Sequence, residues 1–377
     1  MKTGYPLMTL ALAGVISTTA VAAEQNVQQE LQMLKQQVEA LSDQVESQSK
    51  ASVVSKTTIG GYGEMHYNYL NGDDTDDKKE IDFHRFVLFF GHEFAPNVRF
   101  FSELELEHAV SGDGKNGEVE LEQAYINFGD SQQGWRVGLF LLPVGFLNST
   151  HEPPTFFGVE RNLVERNIIP TTWWEGGVSR YGHINETLRY EVALHSGLAL
   201  SAADDFAVRA GRQQVSEAAA NDLALTANLN WLAMPGVEVG VSGQYQLDAD
   251  QAAGESVKDA RMMEVHGAWR YQQFGAKALY ALWDIEGDDV ETVGADKQSG
   301  WYIEPAYYFN TQWAAFARYE EWDNSANADT NTRNDQSSVG VNYYPHEQVV
   351  FKADYQMLDN ADGSELNGVN LGVGYQF

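Results

Sequence analysis

The sequence of 377 residues contains no cysteine. Disulfides and cysteine-ligated zinc are therefore excluded, and the chain suits an oxidising compartment only by doing without crosslinks. No apolar run reaches the ~18 residues that a membrane-spanning helix requires. Basic residues are scarce: 24 Lys and Arg against 54 Asp and Glu leave a formal net charge of -30. Such a polyanion repels nucleic acid, whose binding depends on neutralising phosphates. GxSxG, HExxH and P-loop patterns are missing, so neither an enzyme nor a cofactor is expected. His84, His92, His108 and His151 do not fall at metal-ligand spacing, and no metal site is expected from them.

Aromatic residues are plentiful, with 18 Tyr and 9 Trp, and so is glycine, at 34. From Thr58 onward the chain is a succession of segments that alternate apolar and polar residues, the mark of strands with one oily and one wet face. Segments of about ten residues, tilted near 45°, cross a hydrocarbon layer. Sixteen are predicted, at 58–69, 81–94, 98–108, 118–128, 134–140, 173–181, 188–196, 221–231, 237–247, 260–270, 274–283, 299–309, 312–322, 335–344, 348–357 and 367–377. Residues 221–231 are a clean case, with Leu223, Leu225, Ala227, Leu229 and Trp231 on one parity. Residues 81–90, IDFHRFVLFF, break parity and predict a bulge. The final segment ends on Phe377, which resembles the terminal signature read by the assembly machinery of bacterial outer-membrane barrels.

The predicted connections alternate in length. Short turns follow every second strand. Long loops are expected at 70–80, 109–117, 141–172, 197–220, 248–259, 284–298, 323–334 and 358–366. An even number of strands, with both termini on the periplasmic side, closes a sheet that has no edge. The fold class read from this is all-β and transmembrane: a 16-stranded antiparallel outer-membrane β-barrel over residues 58–377, with an N-terminal periplasmic coiled-coil helix.

The N-terminus carries the helix. Residues 1–23 read as a secretory signal peptide: Lys2, an apolar run from Leu7 to Ile16, and small residues ending at Ala23. In residues 24–50, Val27, Leu31, Leu34, Val38, Leu41 and Val45 form an a/d heptad seam. An isolated helix this short is marginal in water, so oligomerisation is expected to hold it, with two- and three-stranded order both open. Residues 51–57 read as a linker.

Sixteen strands leave an aqueous lumen, and selectivity falls to whatever narrows it. The third long loop, 141–172, is the longest connection and is rich in Phe, Leu, Ile and Pro, so it is expected to fold inward. Its repeated Glu160-Arg161 and Glu165-Arg166 make Arg161 and Arg166 candidates for the constriction. The alternative is that these arginines pair with Glu160, Glu165 or wall carboxylates and tie the loop down. On the wall, Glu103, Glu105 and Glu107 share one parity, as do Glu118, Glu120 and Glu122, which places a block of carboxylates in the lumen rather than in lipid. Arg99 and Arg136 are the inward bases nearest to them in sequence, and they join the candidate set. Acidic loops such as Asp73 to Asp77 read as solvated extracellular faces, with divalent bridging to lipopolysaccharide as an alternative.

The signal peptide, the coiled coil, the GGYGEMHYN opening strand and WRVGLFLLPVGF running into a loop with repeated Glu-Arg resemble the phosphate-selective porin O/P family. The resemblance is sharpest over residues 60–180. It implies an outer-membrane homotrimer of sixteen-stranded barrels with an inward third loop and a basic anion path. Solutes would then be small hydrophilic molecules, with phosphate, other small anions and organic acids as candidates. Outer-membrane lipid, lipopolysaccharide and the assembly machinery would be the partners. The acidic wall departs from a plain anion path and allows a transverse field, acid facing base. A different class of function, a structural protein whose coiled coil tethers or spaces the envelope, is the competing expectation.

Overall fold

A chain in which alternate residues are apolar can satisfy oil and water at once only if the sheet closes, with one face outward and the other inward. The computed structural model describes residues 56–254 and 257–377. The signal peptide, the heptads and all but the end of the linker lie outside the described residues. Sixteen strands follow: β1 Thr57–Asp73, β2 Lys78–Ala95, β3 Val98–Glu107, β4 Val119–Gly129, β5 Gln133–Leu141, β6 Trp174–His183, β7 Leu188–His195 and β8 Ala224–Met234. The second half comprises β9 Val237–Gln246, β10 Ala260–Tyr271, β11 Phe274–Ile285, β12 Lys297–Tyr308, β13 Trp313–Asp323, β14 Asn334–His346, β15 Val349–Asp359 and β16 Glu365–Gln376. Each pairs antiparallel with its neighbours in sequence, and β1 pairs with β16 to close the barrel. At that seam Phe377 N–H donates to the Gly61 carbonyl at 2.9 Å, and Gly61 N–H donates to the Phe377 carbonyl at 3.0 Å.

All sixteen expected segments are strands. Two of the loops expected to be long are not. β1 and β2 run on past the expected ends, leaving residues 74–77 as the first connection. Its tightness has a cause: the Asp77 carboxylate accepts the Gly72 N–H at 2.9 Å and the Lys79 ammonium at 2.6 Å. The last connection is likewise only residues 360–364, closed by Asp362 accepting from the Ser364 N–H at 2.9 Å.

The outer face is apolar and exposed, with Leu225, Leu229, Val239, Val241, Val265, Ile303, Val339, Val369 and Leu371 among its residues. Near the short turns it carries exposed Trp135, Trp231, Trp269, Tyr271, Phe274 and Trp313. Toward the long loops it carries Tyr67, Tyr69, Tyr245, Tyr280, Trp301 and Tyr355. Two aromatic girdles around an oily belt are what a membrane interface selects. The main apolar core, by contrast, is inside. Phe140, Leu142, Val144, Val164, Ile168, Ile169 and Trp173 from the third loop and its approach join Leu198, Phe206 and Val208 of the fourth, packed against wall residues such as Met262 and Trp283.

The bulge expected in β2 is present. Glu64 of β1 faces Arg85, but His66 faces Asp82, so Phe83 and His84 together oppose the single residue Met65. Alternation is thereby reset. Asp82 and His84 are inward before the bulge, and Arg85 and Val87 are buried inward after it.

Candidate functional site: the inward loop and the cavity above it

The third loop leaves β5 at Leu141 and returns at Trp174. Its apolar residues cannot face water cheaply, so it crosses the lumen and packs on the wall. The wall has made room by using glycine. A Cβ at Gly374 would lie 2.2 Å from Pro153, and one at Gly372 would lie 3.1 Å from Val159. Polar anchors hold the course. Val159 N–H donates to Asp354 at 2.6 Å, and Leu163 N–H donates to Glu320 at 2.5 Å. Trp283 Nε1 donates to the Ile168 carbonyl at 2.8 Å.

Both glutamates of the repeated Glu-Arg pairs tie the loop down, but not through their neighbouring arginines. Glu165 heads the short helix α1, Val164–Asn167, and is buried. Its Oε1 accepts the N–H groups of Phe146 and Leu147, both at 2.7 Å. Its Oε2 accepts Asn162 Nδ2 and the Tyr302 hydroxyl, both at 2.9 Å. Glu160 reaches β1 instead, 3.3 Å from His66 Nδ1 and 3.3 Å from Asn68 Nδ2. Burial alone would raise the Glu160 carboxyl. The hydrogen bond and charge of His66, with His84 and Lys78 behind it, hold it well below the ordinary carboxylate range.

Above the loop, on the long-loop side, lies a cavity of about 520 Å³. Arg161 and Arg166, the candidates for the constriction, both line it. So do Arg209 and Arg212 of the fourth loop, which sequence reasoning missed. These are the only Lys or Arg residues between β7 and β8, and that was the available signal. Carbonyl oxygens fix their guanidiniums. Arg209 donates to the Thr171 carbonyl at 2.8 Å and the Arg166 carbonyl at 3.1 Å. Arg212 donates to the carbonyls of Pro170, at 3.2 Å, and Thr172. Arg161 donates to the His151 carbonyl at 3.2 Å. Among the described residues, none of the four has a carboxylate within the 4.0 Å of an ion pair. Burial, and then the charges of Arg212, Arg166 and Arg161, push the Arg209 guanidinium down from its usual range. Four positive groups are thus held together with no carboxylate in direct ion-pair contact among the described residues.

The expected acidic block divides in two. Glu107, Glu118 and Glu120 line the same cavity, and Gln214 of the fourth loop donates to Glu120 at 2.7 Å. Glu103, Glu105 and Glu122 do not line it. They are buried in the wall, where Glu103 and Glu122 flank His151 at 3.2 and 3.7 Å, and Glu105 lies 3.7 Å from Arg85. Arg99 and Arg136 are not brought to the cavity either. Arg99 donates to the Gly129 carbonyl at 3.0 Å beside a short turn, and Arg136 is paired with Glu191 at 2.6 Å and stacked over Tyr181. Across the whole lining, six carboxylates face six Lys or Arg residues, so the cavity is formally balanced in a chain that is strongly acidic. Histidines also gather there: His66, His84 and His108 line the cavity, although their sequence spacing announced nothing.

Comparison with known proteins places this geometry. The family model described as phosphate-selective porin O and P matches residues 59–377. A protein of Aquifex aeolicus (strain VF5), described as uncharacterized, is 32% identical over 361 residues, which is 87% of this chain and 82% of that one. Among solved structures, the outer membrane channel DcaP of Acinetobacter baumannii superposes with a TM-score of 0.59 at 16% identity, covering 85% of this chain and 97% of that chain. OmpT of Vibrio cholerae, in its trimer form, gives 0.55 at 10% identity, covering 85% and 99%. At those identities the two structures share the fold alone.

Proposed function

This chain belongs to the phosphate-selective porin O and P family, and from that premise we propose that its outer-membrane diffusion channel favours small anions, with phosphate and organic acids as the solute class. The observation that carries this reading is the group of four arginines, Arg161, Arg166, Arg209 and Arg212, with no carboxylate in ion-pair range. Arg161, Arg209 and Arg212 are half-buried and Arg166 is exposed, and a half-buried guanidinium with no carboxylate in direct contact attracts an anion. At an effective dielectric of about 20, a unit charge 4 Å away gains about 4 kcal/mol, and planar guanidinium forks match phosphate and carboxylate oxygens. The acids Glu107, Glu118 and Glu120 line the same cavity, so a solute crosses a transverse field and is oriented as it passes.

Reversal potential in a KCl gradient across a planar bilayer tests this. The parent channel is expected to favour chloride, and replacing Arg209 and Arg212 by Ala, alone or with Arg161 and Arg166, to move the potential toward cation preference. An unmoved potential in the quadruple variant rejects the arginine reading, and a barrel that conducts nothing rejects the channel itself.

The assembled form belongs to the same proposal. The signal peptide exports the chain, the heptads of 24–50 join three copies in the periplasm, and the barrel assembly machinery reads the strand ending at Phe377. The acidic long loops then meet lipopolysaccharide. The heptad spacing and the exposed Phe377 ring support this arrangement.

A further inference from the structure

We propose that Asp82, His84 and His108 form a binding site for a borderline divalent transition-metal ion such as Zn2+, at the rim of the cavity. One carboxylate and two imidazoles converge on one point, two of them from β2 and His108 from just past β3. Asp82 Oδ2 lies 2.9 Å from His84 Nδ1 and 2.8 Å from His108 Nδ1. The donor atoms of the three residues all lie within 4.8 Å of one another. Bonds of about 2.0–2.2 Å from a tetrahedral ion would draw such donors to no more than about 4 Å apart, so small side-chain rotations complete the set.

The β2 bulge is the device that builds it. Regular alternation would let His84 or Arg85 face inward, not both. With the extra residue, His84 stacks on His66 with ring centroids 4.6 Å apart, while Arg85 turns to Glu64 at 2.8 Å. Bulges beside functional sites commonly re-aim a side chain in this way.

Imidazole and carboxylate donors suit Zn2+, Ni2+ or Cu2+ and not Mg2+ or Ca2+. On binding, each imidazole offers the Nδ1 lone pair and carries its proton on Nε2. The side chains are 18–35% exposed, so an ion can reach them from the water above. The nearby positive charge of Arg85 is already answered by Glu64 and Glu105. His66, His84 and Glu160 form a second set of donors within the same 4.8 Å limit, and His84 belongs to both. A third set, Glu103, Glu122 and His151, is sealed in the wall at 1–3% exposure.

The test is Zn2+ binding by the full-length porin in detergent, measured by calorimetry and by metal content after dialysis. It does not depend on conduction, so a silent barrel would refute the channel and leave this result intact. Saturable binding is expected for the parent and for H151A. D82A and H108A should each lose more than the roughly 10–100-fold in affinity that removal of an outer partner costs, and H84N should lose both sets. Heat-shifted gel mobility checks that each variant is folded. If a variant fails to fold, Co2+ bound to the parent provides the readout, with visible bands of a nitrogen-oxygen site that Zn2+ displaces. No saturable binding, binding that survives D82A and H108A, or no such Co2+ bands overturns the proposal.

Discussion

Replacing Glu165 by Ala is the most telling perturbation of the inward loop. Its carboxylate serves four donors: two backbone amides of the strand-to-loop turn, Asn162 of the loop, and Tyr302 of the wall. Hydrogen bonds to a charged group contribute about 1.5–3 kcal/mol each. Water can enter from the cavity to rescue some donors, and the terms are not additive. Counting only the two amides at the lower figure gives about 3 kcal/mol. At 1.4 kcal/mol per tenfold, that raises the population of undocked loop about a hundredfold. Single-channel recording should therefore show larger, noisier conductance steps, and proteoliposomes should admit larger sugars. In Glu165→Gln one oxygen becomes a donor, so either the amide pair or the Asn162–Tyr302 pair is lost and an intermediate change is expected. Unaltered step size and exclusion limit in Glu165→Ala would mean that the loop does not set the aperture, or that Glu165 does not hold it.

Two further outcomes follow from features already described. Removal of residues 24–50 should convert heat-resistant trimers on gels to monomers while leaving the barrel's heat-shifted mobility, and trimers that persist assign the heptads another task. Glu160→Gln should lower the melting temperature by an amount that is constant between about pH 7 and pH 5 and shrinks only below about 4, since a carboxylate with a depressed pKa loses its contribution only as pH falls through its folded value. A difference that already closes at pH 5 would contradict the tether between Glu160 and His66.

The barrel was legible because period-two alternation is a local signal, repeated sixteen times with one answer. Parity alone put Glu103 and Glu105 inside, and the parity fault in IDFHRFVLFF announced the bulge. Strand extension past the hydrocarbon is a different matter. Residues 70–80 look like a loop because they are polar, yet backbone pairing continues from Leu70 to Lys78 in water. The site was half legible. Arg161 and Arg166 lay in the loop that its own apolar composition marked as inward. Arg209 and Arg212 reach the same cavity through contacts between two loops, which no periodicity encodes. Parity also cannot say how deep along a strand a carboxylate sits. For that reason Glu107 lines the cavity while Glu103, two residue pairs along, serves the wall. The histidines escaped notice because metal spacing within one segment says nothing about residues brought together from β1, β2 and the position just past β3.

The fault in β2 has a consequence for how such walls diversify. In a regular stretch of strand, gaining or losing one residue would transpose every side chain on one flank between oil and water, but at the bulge the ladder takes up the change. Excision of His84 would leave Phe83 alone opposite Met65, with Arg85 still opposite Glu64 and Asp82 still opposite His66, so both flanks would keep their inward faces. A barrel can thus gain or drop a single inward group, here an imidazole, through length alone, while the rest of the lining stays in register.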